Sequence, residues 1–368
     1  MTAASDSAQL ITVLGDPTIA LSWDEGRWSA LVTTARSANL LGALAERMQV
    51  AGVSASRSAQ RHLDGALQLS SRQRQSVLWE VHQLQRALEQ LDMPVLLLKG
   101  AAYVIAGHKV AQGRLFGDID ILVPRAALGD VESRLMLNGW VSAKASSYDQ
   151  RYYRQWMHEL PPMTHIHRGT VLDVHHTILP LTARNSPEPN QIIARSTQVA
   201  LPGLSALHIP CPEDLVIHSI THLVHEGELH NGLRDLRDID CMLRDFGDAT
   251  AFWERFTICA GGNDLAEPVH FGLQLARRFF GTPVPETVLV ELASMRRAPR
   301  SSRLLQAVFA KALLHDNTDK PDWASNLARW LVYARAHALR MPAPLLVRHL
   351  AIKAWMGWRT IPSEPEAP

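Results

Sequence analysis

The sequence contains little cysteine. Three cysteines, Cys211, Cys241 and Cys259, occur among 368 residues, and none belongs to a Cys-x-x-Cys pair. An odd, scattered set of this kind provides neither a disulfide framework nor a zinc ribbon. Reduced thiols, as found in the cytoplasm, are therefore expected.

Long apolar stretches are absent as well. No window reaches the roughly 18 consecutive apolar residues of a membrane-spanning helix. The first sixteen residues, MTAASDSAQLITVLGD, lack the basic region and apolar core of a secretory signal. These absences predict a cytoplasmic protein that has no membrane partner.

Neither sign of charge dominates the chain. Lysine and arginine total 37 and aspartate and glutamate total 36, so the net charge of +1 indicates no polyanionic partner. The segment 296–359 differs, with twelve basic residues and three acidic ones. A basic face near the C-terminus is predicted, which either RNA binding or ordinary helix-surface arginines would explain.

The order of sequence patterns predicts an α+β fold, in which a small mixed sheet is flanked by N-terminal and C-terminal helical regions. Residues 1–92 repeat apolar positions every three or four residues, as amphipathic helices do. Residues 93–180 contain short apolar runs typical of strands, including VLLL, DIDILV and a pair formed by THIHR and VLDVHHTI. The stretch SYDQRYYRQW within them is also interpreted as strand. Residues 181–211 are proline-rich and predict an irregular linker, and residues 212–368 return to helical spacing.

Two aspartates stand in a segment otherwise suited to a buried strand. Asp118 and Asp120 are two residues apart in DIDILV, so their side chains project from the same face of the strand. Two like charges buried side by side are costly unless a cation compensates them. Because carboxylate oxygens are ligands that Mg²⁺ prefers, the pair predicts a Mg²⁺ site, which Mn²⁺ could also occupy.

A second element lies directly upstream. VLLL ends at Lys99 and Gly100, and the following AAYVIAG predicts a helix. Free backbone N–H groups at a helix start, together with a lysine, suit phosphate groups. Glycine would allow the backbone to approach the anion closely.

These elements together resemble the nucleotidyltransferases of the DNA polymerase β type. More specifically, LLLKGAA, GRLFGDIDILV, VLDVHHTI and LRDLRDIDCML resemble an uncharacterised nucleotidyltransferase family. The resemblance runs from about Leu69 to Phe246. Similar cores occur in nucleotidyltransferase toxins, although the sequence indicates no antitoxin partner.

The resemblance implies roles for individual residues. Asp118, Asp120 and a third carboxylate, Asp173, would hold the metal ions, with Asp173 also serving as general base. Lys99, Gly100 and Ala101 would lie at the triphosphate of an NTP, with Arg114 beside it.

Histidines extend the predicted site. His175 lies two residues after Asp173 on the same strand face, where it would orient Asp173 or contact substrate. His218, His222 and His225 share one helical face, and His222 is interpreted as lining the nucleotide site rather than as a zinc ligand. Asp238 fits either a family acidic position or a surface ion pair.

The predicted activity is Mg²⁺-dependent transfer of an NMP from an NTP to an acceptor, with release of pyrophosphate (the EC 2.7.7 type). The acceptor stays open between RNA, a protein or peptide, and a small molecule. The alternatives are a non-catalytic nucleotide sensor, and glycosyl or sugar-phosphate transfer at the same metal site. The sequence does not determine the nucleobase or the oligomeric state.

Overall fold

A single mixed sheet with helices on either side organises the structure, which is a computed structural model. The structure describes residues 6–142, 147–204, 207–295, 303–314 and 322–348. The α+β fold class predicted from the sequence is confirmed. Six of the twelve basic residues of the predicted basic face at 296–359 lie outside the described residues.

Four helices precede the sheet. They are α1 (Asp6–Gly15), α2 (Glu25–Ser37), α3 (Leu41–Val50) and α4 (Arg57–Leu88). In α4 the buried residues Val77, Val81, Leu84 and Leu88 recur every three or four positions and face the sheet core. A separate apolar cluster lies beneath α1, α2 and α3.

The sheet has seven strands in the order β3-β4-β5-β2-β1-β7-β6. The strands are β1 (Val95–Leu98), β2 (Asp118–Leu122), β3 (Trp140–Ser142), β4 (Met163–His165), β5 (Val171–His175), β6 (Thr197–Gln198) and β7 (Leu207–Ile209). All four residues of β1 are buried, as expected for an apolar strand that is covered on both faces.

The pairing of the central strands brings the predicted site residues together. Strand β1 runs antiparallel to β2 and parallel to β7. Strand β2 runs parallel to β5, with Asp120 opposite Asp173 and Asp118 opposite Val171. The β4–β5 pair is antiparallel, as predicted for THIHR and VLDVHHTI.

The stretch SYDQRYYRQW, predicted as strand, is helix α7 (Ser147–Trp156). Its aromatic residues favour strands by propensity, but they also stand at i, i+4 spacing. The rings of Tyr148 and Tyr152 lie 6.4 Å apart and those of Tyr152 and Trp156 lie 5.8 Å apart. Such contacts along one helix face stabilise the helix and outweigh the weak strand preference.

The proline-rich segment 181–211 is more regular than the sequence predicts. It contains helix α8 (Pro189–Arg195) and strands β6 and β7. Because β7 pairs with β1 at the centre of the sheet, the sheet continues past residue 180.

Helices also connect the strands and complete the chain. They are α5 (Lys99–Ile105), α6 (Leu128–Leu137), α9 (Pro212–His225), α10 (Gly232–Phe246), α11 (Thr250–Gly262), α12 (Ala266–Phe280), α13 (Glu286–Ser294), α14 (Arg303–Leu313) and α15 (Trp323–Arg340). Helix α9 is buried along most of its length, and one continuous apolar cluster joins it to the sheet and to α4. Within the described ranges, no helix is long and apolar enough to cross a membrane.

Candidate active site

Three carboxylates converge at the edge of the sheet where β2 and β5 begin. Asp118, Asp120 and Asp173 each offer an oxygen, and these oxygens all lie within 4.8 Å of one another. The parallel register sets Asp120 beside Asp173, and period-two alternation sets Asp118 on the same face. The structure thus brings together the three carboxylates that the sequence singled out.

The three carboxylates differ in their electrostatic surroundings. Burial, followed by the charges of Glu159 and Asp120, raises the pKa of Asp173 to about 7. Burial and the charge of Asp120 also raise the pKa of Asp118. Although burial works in the opposite direction, the charge of Lys99 and a hydrogen bond from His175 hold the pKa of Asp120 well below its ordinary value.

This arrangement fits a hard divalent cation. The Oδ1 atom of Asp173 is buried and has no hydrogen-bond partner among the described residues. Mg²⁺ and Mn²⁺ prefer clustered oxygen ligands of this kind, and Asp173 Oδ1 has a lone pair free to bind such an ion. A bound ion would also remove the repulsion between the three carboxylates.

Lys99 neutralises part of the carboxylate charge. Its Nζ donates a hydrogen bond to Asp120 Oδ1 at 2.8 Å. Its backbone has a φ of +42°, in the left-handed region that costs an ordinary residue on the order of 1 kcal/mol. The sharp change from β1 into α5 directs the lysine toward β2 instead of along the sheet.

His175 is buried beside Asp120 and lines neither of the two clefts that reach the carboxylates. Its Nε2–H donates to Asp120 Oδ1 at 3.0 Å, and its side chain is 3% exposed. The sequence suggested Asp173 as its partner, but β5 lies beside β2 and the ring reaches across to Asp120. His175 therefore positions Asp120, and its burial does not support the predicted direct contact with a nucleotide.

The Lys99-Gly100-Ala101 turn packs differently from the sequence expectation. A Cβ atom on Gly100 would lie 2.7 Å from Phe116 Cδ1 and 2.8 Å from Arg114 Nη1. Glycine is thus required there by the close approach of two side chains. Ala101 is 2% exposed and its side chain belongs to the core, so it offers no surface to a ligand.

Arg114 and Asp238 form an ion pair that the sequence left undecided. Arg114 Nε donates to Asp238 Oδ2 at 2.7 Å, and both side chains are largely buried. The pair ties the loop before β2 to helix α10. Arg114 also lines a cleft above Lys99.

A cleft of about 240 Å³ lies above the carboxylates, between the sheet and helices α9 and α10. His222, predicted at the site, lines it, and burial holds the pKa of His222 well below its ordinary value. Several lining residues escaped the sequence analysis, because spacing alone shows neither which faces of α5, α9 and α10 line the cleft nor where the segment between α9 and α10 lies. These are Tyr103, Ser219, Glu226, Glu228, His230, Asn231, Arg234 and Asp235.

A second cleft, of about 820 Å³, meets the first at Gly117 and Asp118. It is lined by α4 and by the β4–β5 turn, including Trp79, Arg168 and Thr170. Asp118 is therefore accessible from two separate concave surfaces.

Comparison with known proteins agrees with this geometry. The family model described as uncharacterised nucleotidyltransferase matches residues 24–281. The chain belongs to this nucleotidyltransferase family. The match confirms the resemblance drawn from the sequence, and it spans the chain from α2 to α12, including the whole sheet and both clefts. No curated protein and no solved structure shows a significant match to the chain.

Membership of the nucleotidyltransferase family supports a transferase activity that uses a nucleoside triphosphate. The matched region includes all nine residues predicted for the site. They are Lys99, Gly100, Ala101, Arg114, Asp118, Asp120, Asp173, His175 and His222.

Proposed function

We propose that the protein transfers an NMP from an NTP to an acceptor and releases pyrophosphate, in a reaction that depends on Mg²⁺ or Mn²⁺. The observation that carries the proposal is the convergence of Asp118, Asp120 and Asp173 within 4.8 Å. Asp118 and Asp120 line the first cleft together with Lys99. Family membership supports the same class of reaction.

The three aspartates would hold the metal ions. When bound, such ions activate the attacking group and offset charge that develops on the leaving pyrophosphate. His175 fixes the orientation of Asp120, and Lys99 balances its charge. Asp173, with an unpartnered Oδ1 and a pKa raised to about 7, is suited to accept the proton of an attacking hydroxyl.

The two clefts suggest how the substrates are divided. Three cationic side chains that a triphosphate could engage, Lys99, Arg114 and Arg234, line the first cleft, and each is paired with a neighbouring carboxylate. The second cleft reaches Asp118 from α4 and the β4–β5 turn, and it has room for a larger acceptor. We assign the NTP to the first cleft and the acceptor to the second.

The test uses purified protein, each α-labelled NTP, Mg²⁺ and a cell lysate that contains RNA, protein and metabolites. The expected result is transfer of label to a discrete species by the wild-type protein, and its loss by at least roughly a hundredfold in Asp118→Asn. Asp130→Asn, an exposed aspartate on α6, is the matched control and should retain activity.

Other outcomes would redirect the assignment. NTP binding that requires Asp118 but moves no label would favour a nucleotide sensor. Transfer of label only from a nucleotide sugar that is labelled in its sugar portion would favour glycosyl or sugar-phosphate transfer. Nuclease and protease treatment of the labelled species would identify the acceptor class.

A further inference from the structure

A second group of metal-ligating side chains lies behind the carboxylate triad. His158, Glu159 and His175 each offer a ligand atom, and these atoms lie within 4.8 Å of one another. The backbone fixes all three, since His176 N donates to His158 O and Glu159 forms an isolated bridge with His175. The proposed function uses only His175 of this group.

The distances within the group match those of a small tetrahedral metal ion. Glu159 Oε2 lies 3.4 Å from His175 Nδ1 and 3.8 Å from His158 Nε2. In a tetrahedral zinc site, metal–ligand bonds of about 2.0–2.1 Å place neighbouring ligand atoms roughly 3.3 Å apart. The two separations that involve Glu159 therefore lie within roughly half an ångström of that spacing.

One ring nitrogen that faces Glu159 is left without a hydrogen bond. His175 Nδ1 is buried, lies 3.4 Å from Glu159 Oε2 and has no hydrogen-bond partner among the described residues. The other nitrogen of His175 donates to Asp120 Oδ1. A metal-ligating histidine commonly donates its second ring N–H to a carboxylate, which fixes the tautomer and leaves the first nitrogen free for the ion.

Charge in the region also favours a second cation. Glu159 adds a fourth carboxylate to Asp118, Asp120 and Asp173. Within the part of the chain that the structure describes, Lys99 is the one lysine or arginine in ion-pair contact with any of the four. Asp118 and Asp120 line the first cleft, whereas Glu159 contacts the two histidines, so an ion bound by Glu159 would lie on the histidine side of the group.

We propose that His158, Glu159 and His175 bind a zinc ion, distinct from the Mg²⁺ or Mn²⁺ at the aspartate triad. Nitrogen ligands select zinc over magnesium, whereas the all-oxygen triad prefers the harder ion. The side chains of His158 and Glu159 remain 18% and 14% exposed, which gives the ion a route to solvent. The zinc ion would hold His175 and, through it, Asp120.

The experiment measures zinc by elemental analysis and by titration in protein purified without a polyhistidine tag. Wild type and Asp118→Asn should each bind one zinc ion per chain. His158→Ala and the near-isosteric Glu159→Gln should weaken zinc binding by at least roughly tenfold. His62→Ala, an exposed histidine on α4, is the control for adventitious surface binding and should bind as wild type does.

Co²⁺ substitution in the wild-type protein gives a second readout that does not depend on a variant folding. Intense visible absorption expected of four-coordinate nitrogen ligation would support the site, and the weak spectrum of six oxygen ligands would contradict it. The proposal is overturned if wild type binds no zinc, or if Asp118→Asn loses zinc while His158→Ala and Glu159→Gln retain it. None of these measurements requires nucleotidyl transfer, so failure here leaves the proposed function standing.

Discussion

Arg114 Nε and Asp238 Oδ2 lie 2.7 Å apart although 124 residues separate them in the chain. This buried pair fastens helix α10 to the loop that leads into Asp118 and Asp120. The pair thereby fixes the position of α10, which lines the first cleft, relative to the aspartates of β2.

Removing one partner of this pair should be strongly destabilising. Asp238→Asn leaves the Arg114 guanidinium buried without its counter-charge, and a loss of about 3–5 kcal/mol in the free energy of unfolding is expected. Urea denaturation measures it. The matched control is Asp245→Asn, which breaks the ion pair to the exposed Lys109 and should change the unfolding free energy far less. Equal effects of the two variants would show that the Arg114–Asp238 pair contributes no more than a surface contact.

Replacing different aspartates of the triad should change the stability of the metal-free protein in opposite directions. The pKa of Asp173 is raised to about 7, so its ionisation in the folded state costs stability as pH rises from 3.8 through 7. At pH 8 with EDTA, Asp173→Asn should therefore raise the free energy of unfolding by roughly 1–3 kcal/mol. Asp120→Asn should lower it, because Lys99 and His175 lose their shared partner.

Adding Mg²⁺ should remove the stability advantage of Asp173→Asn over wild type. A ligand that binds only the folded state raises the melting temperature, so wild type gains stability, whereas Asp173→Asn and Asp120→Asn gain less. Calorimetry measures the melting temperature of each variant in EDTA and in Mg²⁺, and so tests both the metal-free prediction and the Mg²⁺ prediction. A loss of stability in metal-free Asp173→Asn would argue against carboxylate repulsion at the triad.

Gly100 offers a steric test of the turn after β1. In Gly100→Ala, the new methyl group meets Phe116 and Arg114 at under 3 Å, and a cost of about 1–3 kcal/mol is expected. Gly65→Ala, in the open middle of α4, has no atom within 4 Å of the new methyl group. That variant should be neutral or more stable by up to about 1 kcal/mol, because alanine favours helix. Comparable losses in both variants would show that the packing over Gly100 is not specific.

His225 should make stability depend on pH. Burial lowers the pKa of His225 from 6.5 to about 4. Between these pH values the histidine is protonated in the unfolded chain and neutral in the folded protein. The contribution of His225 to stability is therefore fully present above pH 6.5 and is lost toward pH 4, by up to about 3 kcal/mol at 1.36 kcal/mol per pH unit. Urea denaturation across this range should show a shallower dependence in His225→Gln than in wild type or in the surface control His62→Gln. An unchanged slope in His225→Gln would assign the pH dependence to other groups.

The parts of the site that lie on one strand were predictable from the sequence. Alternation in β2 predicts that Asp118 and Asp120 share a face, and the apolar run before Lys99 predicts the strand β1. Asp173 came from family resemblance, and the parallel register that sets it beside Asp120 is visible only in the sheet.

The parts that depend on contacts between distant segments could not be read in the same way. His158 and Glu159 lie outside any strand or helix, so no repeating sequence pattern indicates where their side chains point. The partner of His175 depends on which strand lies beside β5. Gly100 suggested an approach by phosphate, but Phe116 and Arg114, in a loop without periodicity, occupy the space over it.

The position of β7 has a consequence for how the chain reaches its folded state. Strand β1 obtains one neighbour, β2, from the next stretch of chain. Its other edge pairs with β7, where Val95 lies opposite Leu207, and more than a hundred residues separate these two in the chain. Until that segment has left the ribosome, the apolar VLLL edge has open hydrogen-bonding groups of the kind that recruit strands from other molecules. A fragment that stops at residue 180 would keep every aspartate of the triad and still expose this edge permanently. Assembly of the central sheet therefore has to wait for residues beyond the carboxylates themselves.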